Sequence, residues 1–147
     1  MLQKDRYYMK QALLEAQKAF NKKEVPIGAV IIFEEKIIAR SYNLTKTLND
    51  VTAHAEMQAI TAASTALGGK YLINCTIYVT VEPCIMCAGA LALSQIKRIV
   101  YGMNNKKQGY HRVSHSFFHS KTTVTNGILA EESLALMKYF FQNKRQK

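Results

Sequence analysis

The alternation of apolar and polar positions lays out most of the chain. From Gln3 to Lys22, Met9, Leu13, Ala16 and Phe20 recur at helical spacing with Lys10, Gln17 and Lys18 on other faces, which predicts an amphipathic helix. Pro26–Phe33 reads as a strand, Glu34-Glu35-Lys36 as a short turn and Ile37–Tyr42 as the hairpin partner. Pro26 fits because it opens the strand instead of interrupting it. A polar connection leads to Thr52, where an alanine-rich helix begins and runs to about Leu67, stopped by Gly68-Gly69. Its Ala55, Ala59, Ala62, Ala63 and Ala66 predict close packing on a flat surface such as a sheet. Cys75–Val81 is continuously β-branched or apolar, the signature of an interior strand. A small-residue helix over about Ile85–Ser94 and a short strand over Ile96–Tyr101 follow. The stretch 102–120 reads as loop with a helical turn, and Lys121–Thr125 as an edge strand ended by Asn126-Gly127. A closing amphipathic helix carries Leu134, Met137, Phe140 and Phe141 on one side. The order αββαβαβ…α predicts an α/β fold, a three-layer sandwich with helices on both faces of a mixed sheet.

Length changes this picture little: 147 residues make one domain, 1–147, with enough apolar material for a proper core. No apolar run approaches the ~20 residues that span a bilayer, and the charged, aromatic start lacks a signal-peptide core. The expectation is a soluble cytoplasmic protein with no membrane partner. Charge says more. The net charge is +10, and residues 97–147 hold ten Lys and Arg against only Glu131 and Glu132. A basic surface so unevenly spread suits a polyanionic partner, with nucleic acid the obvious candidate, and on charge alone a merely soluble basic face is an equal alternative.

The chemistry lies in two short pieces, Thr52-Ala53-His54-Ala55-Glu56 and Glu82-Pro83-Cys84-Ile85-Met86-Cys87. His54, Cys84 and Cys87 make the three-ligand set of a catalytic zinc ion, whose fourth position is left to water. Cys84 and Cys87 fall at the start of a predicted helix just after Pro83, where free backbone N–H groups favour thiolate. Glu56 is two residues from His54, and on a regular helix such positions do not face each other. The two converge only if His54 sits at the very start of the helix. Glu56 is then a carboxyl group beside the metal and free of it, suited to general acid/base work. A closed zinc site would need a fourth ligand from His111, His115 or His119, and would leave Glu56 without a purpose. A redox Cys-x-x-Cys would leave both His54 and Glu56 unexplained, and Cys75 reads as a small buried hydrophobe.

H-x-E…P-C-x-x-C is the signature of zinc nucleobase deaminases. The chain resembles the cytidine deaminase-like superfamily, and within it the bacterial tRNA-specific adenosine deaminases. The resemblance runs through Val25-Pro26-Ile27-Gly28-Ala29-Val30, Asn43, Asp50–Glu56, Tyr78–Ala90, Val100-Tyr101-Gly102, Gly127-Ile128-Leu129 and Phe140-Phe141. It implies a five-stranded sheet, a homodimer, one Zn²⁺ per subunit, and hydrolytic conversion of the wobble adenosine of a tRNA anticodon loop to inosine. It further implies that Glu56 carries the protons, that Asn43 hydrogen-bonds the target base, and that Ala55 with Val25, Pro26, Ile27 and Gly28 lines its pocket. Asn105 stands where relatives often carry an acid, and Ser133 where many carry cysteine. A deaminase of a free base or nucleoside, of guanine or cytosine type, would use the same metal chemistry. The basic C-terminal third separates the two, with Asn105, Lys106, Lys107, Phe140, Lys144 and Arg145 as candidates for an RNA surface.

Overall fold

The structure, a computed structural model, describes every residue except His115, Gln146 and Lys147, together with the side chain of Arg145. In chain order the elements are α1 (Leu2–Asn21), β1 (Gly28–Phe33), β2 (Lys36–Tyr42), α2 (Ala55–Leu67), β3 (Cys75–Val81), α3 (Ile85–Ser94), β4 (Arg98–Met103), β5 (Thr123–Thr125) and α4 (Ala130–Arg145). A 3₁₀ turn, Tyr110–Arg112, interrupts the connection from β4 to β5. The strands form one mixed sheet in the order β2-β1-β3-β4-β5. β1 runs antiparallel to both neighbours, whereas β3, β4 and β5 are parallel.

Side chains alternate across this sheet as a period of two requires. Ala29, Ile31, Ile77, Val79, Ile99 and Tyr101 face one side, with α2 and α3 above them through Ala55, Ala59, Ala63, Ala88 and Leu91. Val30, Ile32, Tyr78 and Val100 face the other, against Met9 and Ala12 of α1. α4 joins α1 on that face. The expected three-layer sandwich around five strands is therefore the fold. The alanines of α2 let its backbone approach the sheet, and Gly28 does the same for α1. A Cβ at Gly28 would stand 2.1 Å from the Ala12 carbonyl oxygen and 2.4 Å from the Ala16 nitrogen.

Several boundaries differ from the sequence reading. β1 starts at Gly28, because Val25–Ile27 is a tight turn closed by the Ile27 N–H on the Val25 carbonyl (2.8 Å). β4 lies two residues later than expected. Its parallel register with β3 runs from Thr76↔Arg98 to Val81↔Met103, and the Met103 carbonyl accepts the Glu82 N–H (2.9 Å). On α4, Phe140 is buried while Leu134 and Phe141 are exposed. Phe140 packs edge-on against Phe20 of α1 (6.1 Å) while Tyr139 stacks on the same ring (5.8 Å). Within 102–120, Tyr110 is buried beneath Phe118 (4.9 Å) and Phe117 (6.2 Å).

One buried polar cluster ties α1 to the parallel strands. Asp5 receives both guanidinium nitrogens of Arg98 at 2.7 Å and the Tyr78 hydroxyl at 2.7 Å. Arg98 also donates to Thr125 Oγ1 (3.0 Å). Burial pushes the Asp5 carboxyl up, but the hydrogen bonds from Arg98 and Tyr78 outweigh it and leave it below its ordinary value of 3.8. Arg98→Ala leaves that carboxyl buried with its bidentate partner gone, and is expected to cost about 3 kcal/mol in a urea unfolding curve at pH 7. A group with a depressed folded pKa stabilises above its unfolded value and loses that contribution as pH falls through the folded one. The gap between wild type and variant should therefore close below about pH 4.

Candidate metal centre and active-site pocket

The two chemical pieces arrive at helix starts on the same face of the sheet. His54 is the residue before α2, with extended dihedrals (φ −71°, ψ 156°), and Cys84 holds the same place before α3 (φ −72°, ψ 174°). The non-helical start that convergence of His54 with Glu56 requires is thus present. α2 follows β2 and α3 follows β3, the strands on either side of β1, and the packing of α2 beside α3 brings the two helix starts together.

The ligand atoms of His54, Cys84 and Cys87 lie within 4.8 Å of one another, the one such group among the described residues. His54 Nδ1 is 3.6 Å from Cys84 Sγ and 3.5 Å from Cys87 Sγ. Zn–N and Zn–S bonds of ordinary length at a tetrahedral angle would hold those atoms about 3.5 Å apart, so the residues fit zinc.

Protonation tells the same story. A hydrogen bond from Cys87 holds the Cys84 thiol down at about 4 against the cost of burial, and the same contact pushes Cys87 up. Contact with Cys84 likewise pushes His54 up. Sulfurs this close do not both release their protons without a compensating cation, and a divalent ion on these three atoms is that compensation. Glu56 is 4% exposed in the first turn of α2 and stands outside the ligand group. Burial pushes its carboxyl up to about 7, where one group both takes and gives protons near neutral pH.

His54, Cys84 and Glu56 floor a pocket of about 170 Å³ lined also by Val25, Ile27, Asn43, Thr45, Ala55, Glu82, Asn105 and Gln108. That is below the ~300 Å³ at which sites for drug-sized ligands begin, the scale of a single ring system. A larger apolar groove of about 650 Å³ lies between α1 and α4, lined by residues such as Leu14, Phe20 and Tyr139, and shares no residue with the metal group.

The site residues expected from sequence divide here. Val25, Ile27, Asn43 and Ala55 reach the pocket; Pro26 and Gly28 do not line it. Gly28 points at α1, so this short stretch presents only alternate residues to the pocket. Asn43 is 5% exposed, its backbone N–H on the Ile27 carbonyl (3.0 Å). Asn105 lines the rim, and Lys106 and Lys107 are exposed beside it. Phe140 is not available for stacking on a base, because it packs on Phe20 inside the α1–α4 contact. Lys144 is exposed near the end of α4, and the side chain of Arg145 lies outside the described residues.

His111 is no fourth ligand: its Nδ1 faces Glu82 at 2.6 Å. His119 accepts the Lys121 N–H (3.3 Å), and His115 lies outside the described residues. Sequence reasoning passed over two buried carboxyl groups that shape the pocket. Glu24 accepts the backbone N–H groups of Lys46 (3.1 Å) and Thr47 (2.6 Å), holding the loop that carries Thr45. Glu82 grips the loop that carries Asn105. For Glu82 the available signal was an acid at the end of an otherwise uncharged, buried strand, which needs internal partners; Glu24, in the turn between α1 and β1, carried no such mark.

The family model of the cytidine and deoxycytidylate deaminase zinc-binding region matches residues 2–103. A tRNA-specific adenosine deaminase of Agrobacterium fabrum is 42% identical over 144 residues, covering 95% of this chain and 95% of that protein. A solved tRNA:A34 deaminase, studied for A-to-I editing at the wobble position of transfer RNA, matches with a TM-score of 0.83 at 41% identity. That match covers 88% of this chain and 98% of the other. A guanine deaminase from Bacillus subtilis matches with a TM-score of 0.65 at 37% identity, over 68% of this chain and 64% of its own. The chain belongs to the cytidine and deoxycytidylate deaminase family, in its branch of tRNA-specific adenosine deaminases.

Proposed function

We propose that the protein deaminates the wobble adenosine of a tRNA anticodon loop to inosine by hydrolysis, releasing ammonia. The observation that carries this reading is the likeness to a tRNA-specific adenosine deaminase, 42% identical over 95% of this chain and 95% of that protein. The surface supports it as well, since the exposed Lys106 and Lys107 flank the pocket rim. We read them, with Asn105 and Lys144, as contacts to the anticodon loop.

Zinc held by His54, Cys84 and Cys87 supplies a water acidic enough to react near neutral pH. The chain's own residues do the rest. Val25, Ile27 and Asn43 confine an adenine turned out of its loop, with the Asn43 amide offering hydrogen bonds to the base edge. Glu56 accepts a proton from the attacking water and delivers one to N1 of the ring. It then takes the remaining proton from the oxygen now on C6 and passes it to the departing amine, so the C6–N6 bond breaks, ammonia leaves and C6 keeps the oxygen as a carbonyl.

The homodimer that the resemblance implies accords with Ile85 and Leu93, large apolar side chains that α3 leaves exposed. No helix of the described residues is long and apolar enough to cross a membrane. Binding of an anticodon stem-loop should weaken linearly in log–log form as salt rises, because lysines displace counterions from phosphate. A salt-independent affinity in a fluorescence titration would remove the lysine surface from this account.

A further inference from the structure

Asn105 and Gln108 line the pocket from a loop leaving β4 that no sheet or long helix supports. Inside the loop, the Gly109 N–H donates to the Asn105 carbonyl (2.9 Å) and the Gln108 N–H to the Asn105 side-chain oxygen (3.0 Å). Those bonds shape a turn without attaching it to anything. Glu82 attaches it. Its fully buried carboxyl group accepts the Asn105 N–H (3.1 Å), the His111 N–H (3.0 Å) and the His111 ring at 2.6 and 2.8 Å. An acceptor facing that ring nitrogen assigns the proton to Nδ1.

The fit is tight. The Tyr110 N–H donates to the Pro83 carbonyl (3.0 Å), and Gly109 forms a β-bridge with Cys84. A Cβ at Gly109 would stand 2.5 Å from the Glu82 carboxyl atoms. The turn is thus fastened to the same three residues, 82–84, that lead into the metal group.

We propose that Glu82 and His111 are a positioning pair. By clamping the 105–111 turn onto the metal-bearing segment they make it a fixed wall, and that wall sets how tightly the target nucleotide and its flanking backbone are held. This rests on the tRNA reading for the identity of the nucleotide, not for the clamp itself. Neither residue belongs to the metal group, so the pair acts on binding more than on chemistry. His111 is half-exposed, so its ring can be removed without opening the core.

The test compares wild type, His111→Ala and His111→Gln, whose amide N–H can still donate to Glu82. For an anticodon stem-loop, His111→Ala is expected to raise KM about tenfold, the worth of a buried hydrogen bond, with kcat within about twofold and zinc content unchanged. Amide hydrogen exchange at Asn105 should quicken in the same variant, and His111→Gln should restore both readouts. Unchanged KM and exchange in His111→Ala would overturn the proposal. So would a loss confined to kcat and zinc content, which would make His111 a support of the metal. A wild type that ignores the stem-loop sinks the tRNA reading alone. The KM comparison then moves to guanine, where the clamp predicts the same direction and an unchanged value overturns it.

Discussion

Glu56→Gln is expected to lower kcat for deamination by about 10³-fold, within the range measured for a lost general acid/base, while the protein keeps one zinc per chain. The amide preserves the shape of a side chain that is almost wholly buried behind the pocket floor. What it removes is the proton carrier. His54, Cys84 and Cys87 hold the metal without Glu56, so zinc content measured by atomic emission should match wild type. Near-normal turnover in that variant would mean that another group moves the protons.

Withdrawing the metal is expected to abolish turnover altogether and to leave the fold standing. The two core clusters are built mainly from side chains of the sheet and of α1, α2 and α3, and neither includes His54, Cys84 or Cys87. Treatment with a strong chelator should therefore erase activity with little change in far-ultraviolet circular dichroism, and added Zn²⁺ should restore it. Cys87→Ala should show the same loss without rescue, since one of the three ligands is then gone. Collapse of helicity on chelation would make the metal structural.

Much of this architecture was legible along the chain because period and punctuation agree. The helix of Met9, Leu13, Ala16 and Phe20 and the strand from Cys75 to Val81 stand where the sequence puts them, and the alanine helix stops at Gly68 as read but starts at Ala55 instead of Thr52. The metal group was legible for a different reason. Metal ligands sit at helix starts, and helix starts leave marks such as Pro83 before Cys84. Other features are set by partners distant in sequence. Phe140 and Phe141 are neighbours on α4, and only the position of Phe20 on α1 decides that Phe140 turns inward. The Glu82–His111 contact spans 29 residues, across α3, β4 and an irregular loop, and no periodicity links one to the other. β3, nearly all apolar, carries no face information, so the register that extends β4 to Met103 shows only in the paired strands.

The central claim is that this pocket serves an adenosine presented by RNA. It is tested most directly by initial rates of the zinc-loaded protein on an anticodon stem-loop with adenosine at the wobble position. Free adenosine, guanine and cytosine are run beside it at equal concentration. The account predicts inosine at the wobble position and no measurable turnover of the three free compounds. Turnover of guanine or cytosine with an untouched stem-loop would contradict it.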